Sequence, residues 1–185
     1  MPETSKFPLK PYLLLSARIL LAWTLYRYGW AKLTDGQFGV DDKTMNMALK
    51  DINLFQLSWY LGDHQPFKAF IGVSQIICAL LLTLNRTVII GAFMSIPIWL
   101  NILVWDLTFM GNMAAAFAFR LTYYLILTTL IIHQQKDKLI PAILLVTGPK
   151  HMVKFPIWAY ALLPVTAIGI EIAGALPNMV LNYFR

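Results

Sequence analysis

Long apolar stretches separated by short polar connections dominate this chain. The pattern predicts five membrane-spanning helices, at residues 12–33, 67–84, 87–105, 114–133 and 155–180, with a long external loop at 34–65. Each stretch is long enough to cross the roughly 30 Å hydrocarbon core of a bilayer as a helix. The chain is therefore predicted to be one integral membrane domain, residues 1–185, of the all-α class. Its architecture would be a four-helix transmembrane bundle with a fifth transmembrane helix.

The long first loop has a pattern of its own. Its apolar residues recur at spacings of three and four, which is typical of an amphipathic helix; they are Met45, Ala48, Leu49, Ile52, Phe55 and Trp59. We expect this helix to lie on the external face of the membrane. It is either a lid over a cavity between the transmembrane helices or a belt that contacts lipid.

Composition agrees with a membrane protein and narrows its chemistry. Hydrophobic residues make up 58% of the chain and charged residues only 13%. The net charge of +6 is spread over loops and helix ends, so membrane lipids are expected partners and nucleic acid is not. The single cysteine, Cys78, excludes an intramolecular disulfide and a CxxC motif. The three histidines, His64, His133 and His151, are too scattered to predict a metal site.

Lysine and arginine residues in the connections predict the orientation. One side of the membrane would carry Lys6, Lys10, Arg86, Lys136, Lys138, Lys150 and Lys154, and the other side only Lys43, Lys50, Lys68 and Arg185. Because positive residues are more frequent in cytoplasmic loops, the N-terminus is predicted to be cytoplasmic. We expect the location to be a bacterial inner (plasma) membrane.

Ionisable residues inside the apolar segments mark a candidate site. They are Arg27, Asp106, Arg120 and Glu171. An isolated charge in hydrocarbon is costly, so each must find a partner or line a polar cavity. Because successive spans alternate in direction, all four are expected in the outer half of the membrane.

Neutral polar and aromatic residues extend this layer. Asn101 falls at the same depth and Gln75 just beneath it, while Trp23 and Trp30 frame Arg27 on one helix face. Such a face suits a flat, partly polar ligand, because tryptophan and arginine can both stack on a ring. The candidate ligand-binding residues are therefore Trp23, Arg27, Trp30, Gln75, Asn101, Asp106, Arg120 and Glu171.

A purely structural explanation is also open. Arg27 could pair with Asp106 or Glu171 only to hold the helices together. Arg18 lies about half a turn around the helix from Arg27, and we expect it to extend toward the inner headgroups. No catalytic residue can be named from the sequence.

The first four predicted spans resemble the DoxX family. In the first span the resemblance rests on Arg18, early in the helix, and on the final residues Gly29-Trp30-Ala31-Lys32-Leu33. In the second and third spans it rests on residues 70–76, residues 81–87 and Gly91-Ala92. The resemblance implies a four-helix membrane bundle from about residue 12 to 133, with the fifth span as an addition. The family takes its name from membrane subunits associated with thiosulfate:quinone oxidoreductase, and other members are linked to oxidative-stress or thiol redox complexes.

Three functional hypotheses follow. The first is a redox-associated subunit that binds a quinone or a similar lipid-soluble ligand in an outer-half polar cavity. No motif in the chain could store electrons, so an electron-carrying cofactor would belong to a redox or membrane-protein partner. The second is a non-catalytic membrane assembly or interaction protein, and the third is a small transporter. The sequence leaves open whether the protein is an enzyme and whether it forms a homo-oligomer.

Overall fold

The computed structural model describes residues 8–148 and 154–183, and within them every regular element is helical. The α-helices are α1 (Leu9–Leu33), α2 (Asp42–Met45), α3 (Leu54–Gly62), α4 (Phe67–Thr83), α5 (Val88–Phe109), α6 (Ala114–Gln134), α7 (Lys136–Thr147) and α8 (Ile157–Tyr183). The predicted all-α class is confirmed. Lys6, Lys150, His151 and Arg185, which entered the predictions above, lie outside the described residues.

Two compact units make up the chain, one ending at Ile143 and the other beginning at Leu144. In the first unit, α1 packs on α4 and α6, and α5 packs on the same two helices, so the four form a closed ring. Its core is apolar, with Leu21, Leu25, Leu82 and Trp99 fully buried. This is the four-helix bundle expected from the sequence. The second unit contains α8.

Glycines bring the bundle helices into close contact. A Cβ atom added to Gly29 of α1 would lie 2.5 Å from the carbonyl oxygen of Gly72 in α4, and one added to Gly91 of α5 would lie 2.6 Å from the backbone nitrogen of Leu82. Small residues at helix crossings allow such close backbone approach in membrane proteins. The Gly29–Gly72 contact sets which face of α1 turns toward α4.

Within residues 8–148 and 154–183, three helical segments are long and apolar enough to cross a membrane, namely Val88–Phe109, Gly111–Gln134 and Ile157–Gly174. Helices α3 and α4 meet at an angle of 80° and could together form a fourth span. Helix α1 has 25 residues, which is sufficient length, but it is more polar and carries Arg18, Arg27 and Lys32. The protein is thus an integral membrane protein, and the predicted count of five spans stays a prediction.

The first loop differs from the single helix expected there. It contains α2, a 3-10 turn at Leu49–Asp51 and then α3. Asp41 caps α2 by accepting a hydrogen bond from the backbone of Thr44. Hydrogen bonding to the Thr44 side chain, and then to its backbone, lowers the pKa of the Asp41 carboxyl. Asn53 and Gln56 form a reciprocal capping box that starts a new helix at Leu54. The apolar residues with helical spacing do lie in a largely helical region, but these caps divide that region into separate short helices.

Candidate ligand-binding cavity

A cavity of about 340 Å³ lies at the end of the bundle that carries the first loop. We call it the loop-end cavity. Its polar lining consists of Tyr28, Lys32, Gln37, Gln75, Asn101, Asp106 and Arg120. Its aromatic lining also includes Phe38, Phe55, Trp59, Phe67, Trp105 and Phe117. The volume falls within the range of small-molecule pockets, and the mixture of aromatic walls with a few polar groups is typical of them.

Gln75 is the least satisfied side chain in this lining. It comes from the middle of α4 and is fully buried, yet neither Oε1 nor Nε2 has a hydrogen-bond partner in the described part of the chain. The buried Nε1 atoms of Trp59 and Trp105 also lack acceptors. Since a buried polar group without a partner loses its hydration without compensation, such groups are rare in native proteins. A bound molecule with its own donors and acceptors would supply what is missing.

The hydrogen-bond partners that the described residues offer the two cations of the cavity are all neutral. Lys32 is 4% exposed; its Nζ donates to Gln37 Oε1 at 2.7 Å and to the Tyr28 carbonyl at 3.4 Å. Arg120 donates from Nη2 to the Tyr28 hydroxyl at 2.8 Å, and its guanidinium lies 5.2 Å from the Phe117 ring centre. Both side chains therefore keep donors that a ligand could use.

Asp106 is the carboxylate of the cavity. It comes from α5 and is 8% exposed. Among the described residues no hydrogen bond or ion pair reaches its side chain, and the positive charges that act on it are those of Arg120 and Lys32. It is thus close enough to the cations for an electrostatic effect without being neutralised by direct contact. No cluster of histidine, cysteine, aspartate or glutamate in the described ranges could hold a metal ion.

The first loop supplies part of the cavity wall. Phe38 has a φ angle of +74°, a conformation that is strained for a bulky residue. Its ring lies 6.1 Å from that of Trp59 and 6.4 Å from that of Trp105. Gly62 leaves room for it, since a Cβ there would lie 2.8 Å from the ring. The strained backbone thus places an aromatic ring in the cavity wall.

An ion cluster ties the same loop to the bundle. Lys68, at the start of α4, donates to the carboxylates of Asp35 and Asp63. Lys68 is almost buried, whereas both aspartates are more exposed. The three residues hold the loop against α4 beside the cavity.

The structure brings together half of the residues predicted from the sequence. Gln75, Asn101, Asp106 and Arg120 all line the loop-end cavity. Glu171 belongs to α8 in the second unit, so its part in the site stays a prediction.

The α1 residues predicted to bind ligand lie outside the cavity lining. Trp23 and Trp30 are 58% and 53% exposed, and each stacks on Tyr26 rather than framing a ligand. Arg27 is exposed as well, with no hydrogen bond or ion pair found for it in the described part of the chain. The arginine of α1 that has partners is Arg18, whose Nη2 donates to Thr83 O at 2.9 Å and Asn85 Oδ1 at 2.6 Å.

Tyr28 and Lys32 are cavity residues that sequence reasoning missed. They continue the buried positions Leu21 and Leu25 at spacings of three and four, the helical pattern of one face. Arg27 precedes Tyr28 by one residue and therefore points about 100° away around the helix. The spacing from the buried leucines was the signal that could have identified this face.

Comparisons with known proteins place the chain in a family. The model of the DoxX family matches residues 13–106, which includes most of the cavity lining from Tyr28 to Asp106. The chain is also similar to the uncharacterized protein YwoB of Bacillus subtilis (strain 168), with 34% identity over 88 residues. That alignment covers 47% of this chain and 56% of the relative, so the chain spans about half of the relative's length. No solved structure matches the chain. Since the family model matches about half of the sequence, the chain belongs to the DoxX family.

Proposed function

We propose that this DoxX-family membrane protein binds a quinone, or a similar lipid-soluble ring compound, in the loop-end cavity. The observation that carries the proposal is Gln75, a fully buried side chain with two unpartnered polar atoms in the lining of an aromatic cavity. A binding site explains why folding leaves this amide without a partner. The unpartnered indole nitrogens of Trp59 and Trp105 support the same conclusion.

The cavity chemistry suits a quinone ring. A quinone is flat and carries carbonyl oxygens at opposite edges. Gln75 Nε2 comes from one wall, and the spare donors of Lys32 and Arg120 come from others, so both oxygens could accept hydrogen bonds. The rings of Phe38, Trp59 and Trp105 would contact the faces or edges of the ligand.

A redox role requires a partner as well. Reduction of a quinone to a quinol takes two electrons and two protons, and electrons would come from a redox protein that docks on this one. The side chain of Asp106 is the cavity group suited to hold or release a proton. The protein would therefore be the quinone-binding subunit of a larger assembly with membrane lipids around it.

The orientation completes this proposal. We place the protein in a bacterial plasma membrane with its N-terminus in the cytoplasm, on the basis of the distribution of lysine and arginine. The first loop and its cavity then face the outside. Cysteine at position 50, introduced by Lys50→Cys in a Cys78→Ala background, should react with a membrane-impermeant maleimide in intact cells. Lys136→Cys should react only after lysis, and the reverse pattern would contradict this orientation.

Quinone retention tests the central proposal. The protein is extracted into lipid nanodiscs, and bound quinone is measured by mass spectrometry of organic extracts, relative to empty nanodiscs. We expect quinone to be enriched with the wild type and lost with Gln75→Met, which keeps the length of the side chain but removes its polar atoms. Gln134→Met, the same change near the other end of the bundle, should retain it.

Two results would contradict the proposal. One is equal quinone content in the wild type, the Gln75→Met variant and empty nanodiscs. The other is a protein partner retained by all variants with no quinone, which would favour the assembly hypothesis.

A further inference from the structure

The charges around the loop-end cavity do not balance. Two cationic side chains, Lys32 and Arg120, and one acid, Asp106, line it. With Asp106 ionised the lining carries one excess positive charge, and with Asp106 protonated it carries two. The lining is therefore positive in either protonation state of that acid.

The cations also lack a counter-ion in direct contact. Every hydrogen bond found for Lys32 Nζ and for the Arg120 guanidinium in the described ranges ends on a neutral oxygen, from Gln37 or Tyr28. Lys32 is almost fully buried. A buried charge without a partner of opposite sign is expensive, so the environment favours an incoming anion.

Nearby acids do not supply the missing charge. Asp35 and Asp63 belong to the same loop region, but both bind Lys68 and neither lines the cavity. The cluster of Asp35, Asp63 and Lys68 carries one net negative charge, but both aspartates are more exposed than Lys68, so water screens that charge. The excess positive charge of the lining is left for a ligand.

We propose that the ligand of this cavity is an anionic flat ring compound, such as a quinone with an acidic hydroxyl group, held by Lys32 and Arg120. This inference rests on the proposed function, because it specifies the class of ring that the same cavity takes. The negatively charged oxygen would accept hydrogen bonds from the two cations, while Gln75 would bind a neutral carbonyl oxygen. The aromatic residues would contact the ring itself.

Two naphthoquinones of nearly the same shape test the sign of the charge. 2-Hydroxy-1,4-naphthoquinone is an anion at neutral pH, whereas 2-methoxy-1,4-naphthoquinone is neutral. Each is titrated into the full-length protein in nanodiscs, binding is followed by quenching of tryptophan fluorescence, and empty nanodiscs correct for partition into lipid. We expect the anion to bind at least about tenfold more tightly than the neutral ether, because a hydrogen bond to a charged group contributes about 1.5 kcal/mol or more.

Matched variants identify the cations responsible. Arg120→Gln and Lys32→Gln should each weaken binding of the anion by about tenfold and change binding of the ether by less than about threefold. Arg86→Gln, an arginine at the opposite end of the bundle, should change neither. Because Lys32 is buried, circular dichroism and thermal melts of each variant verify folding, and the more exposed Arg120 provides the second test.

The outcomes separate the two proposals. Equal binding of both naphthoquinones would overturn the anionic preference and leave the ring-binding function standing. Binding of neither compound, to a folded wild-type protein from which bound ligand has been removed, would overturn both. A preference for the anion that survives Arg120→Gln and Lys32→Gln would overturn the assignment of these two cations.

Discussion

The two ends of the four-helix bundle differ in how many of their buried polar side chains have hydrogen-bond partners. At the turn end, where residues 84–87 join α4 to α5, Arg18 Nη2 donates to Thr83 O and Thr87 Oγ1 donates to Leu81 O at 2.9 Å. Of the described side chains at this end, only Arg18 has a buried polar atom without a partner, its Nε. In the loop-end cavity, both polar atoms of Gln75 are buried and have no partner among the described residues, and the same holds for the indole nitrogens of Trp59 and Trp105.

This difference indicates that polar groups contribute to stability at the turn end and to ligand binding at the loop end. Polar groups at the turn end make hydrogen bonds within the protein, and therefore contribute to the free energy of folding. Those at the loop end keep hydrogen-bonding capacity that folding does not use, which lowers stability but leaves it available to a ligand. Natural proteins depart from full polar satisfaction chiefly at functional sites.

The largest effect should come from breaking the close packing at the turn end. Gly91→Leu places a side chain where a Cβ atom alone would lie 2.6 Å from Leu82 N and 2.8 Å from Leu81 C. Because backbone rather than a flexible side chain is in the way, we expect a loss of about 3 kcal/mol in the free energy of unfolding. Thermal or denaturant unfolding in detergent measures it. Ile90→Leu, at the exposed neighbouring position, is the control, and an equal loss there would contradict the packing argument.

The next largest effect concerns the two arginines of α1, of which Arg18 has hydrogen-bond partners and Arg27 is exposed. Arg18→Leu removes hydrogen bonds to Thr83 and Asn85 and should lower the free energy of unfolding by about 2 kcal/mol. Arg27→Leu should change it by less than about 0.5 kcal/mol, because Arg27 is exposed. The same unfolding measurement compares the two variants. A larger loss of unfolding free energy for Arg27→Leu than for Arg18→Leu would support the buried ion pair of Arg27 that the sequence left open.

Buried side chains with and without partners should respond in opposite directions. Thr128 is fully buried and donates to Tyr124 O at 2.9 Å, so Thr128→Val should lower the free energy of unfolding by about 1 kcal/mol. Gln75→Met should leave it unchanged or raise it by about 1 kcal/mol when no ligand is present, since it removes unpartnered polar atoms. Unfolding of ligand-free protein measures both. A loss for Gln75→Met as large as that for Thr128→Val would indicate that Gln75 is a structural residue.

The smallest expected effect concerns the loop alone. Lys68→Met removes the ion pairs to Asp35 and Asp63, and should lower global stability by less than about 1 kcal/mol. It should increase amide hydrogen exchange in residues 34–41, because the loop loses its attachment to α4. Lys50→Met, at an exposed position of the same loop, is the control. Unchanged exchange after Lys68→Met would show that aromatic packing around Phe38 holds the loop without the ion cluster.

Much of the fold could be predicted from the sequence, because the hydropathy that defines a membrane helix depends only on the order of residues along the chain. Long apolar stretches predict helices and a membrane, and alternation of direction predicts which polar residues share a depth. Of the residues grouped in this way, Gln75, Asn101, Asp106 and Arg120 line the same cavity. Their role in ligand binding stays a prediction.

The rotation of each helix about its axis was decided only by tertiary structure. The predicted depth in the membrane grouped Arg27 with the other polar residues. In the structure, the close contact of Gly29 with Gly72 turns Tyr28 and Lys32 inward and leaves Arg27 outside. The folding of the first loop was equally nonlocal, because Phe38 adopts its strained backbone against Trp59, Gly62 and Trp105. The sequence alone was sufficient for the helical membrane class, because that class depends on composition along the chain, and it predicts which polar residues share a depth. Packing between helices decided which of those residues face the cavity, since a rotation of 100° per residue separates neighbours that share the same depth.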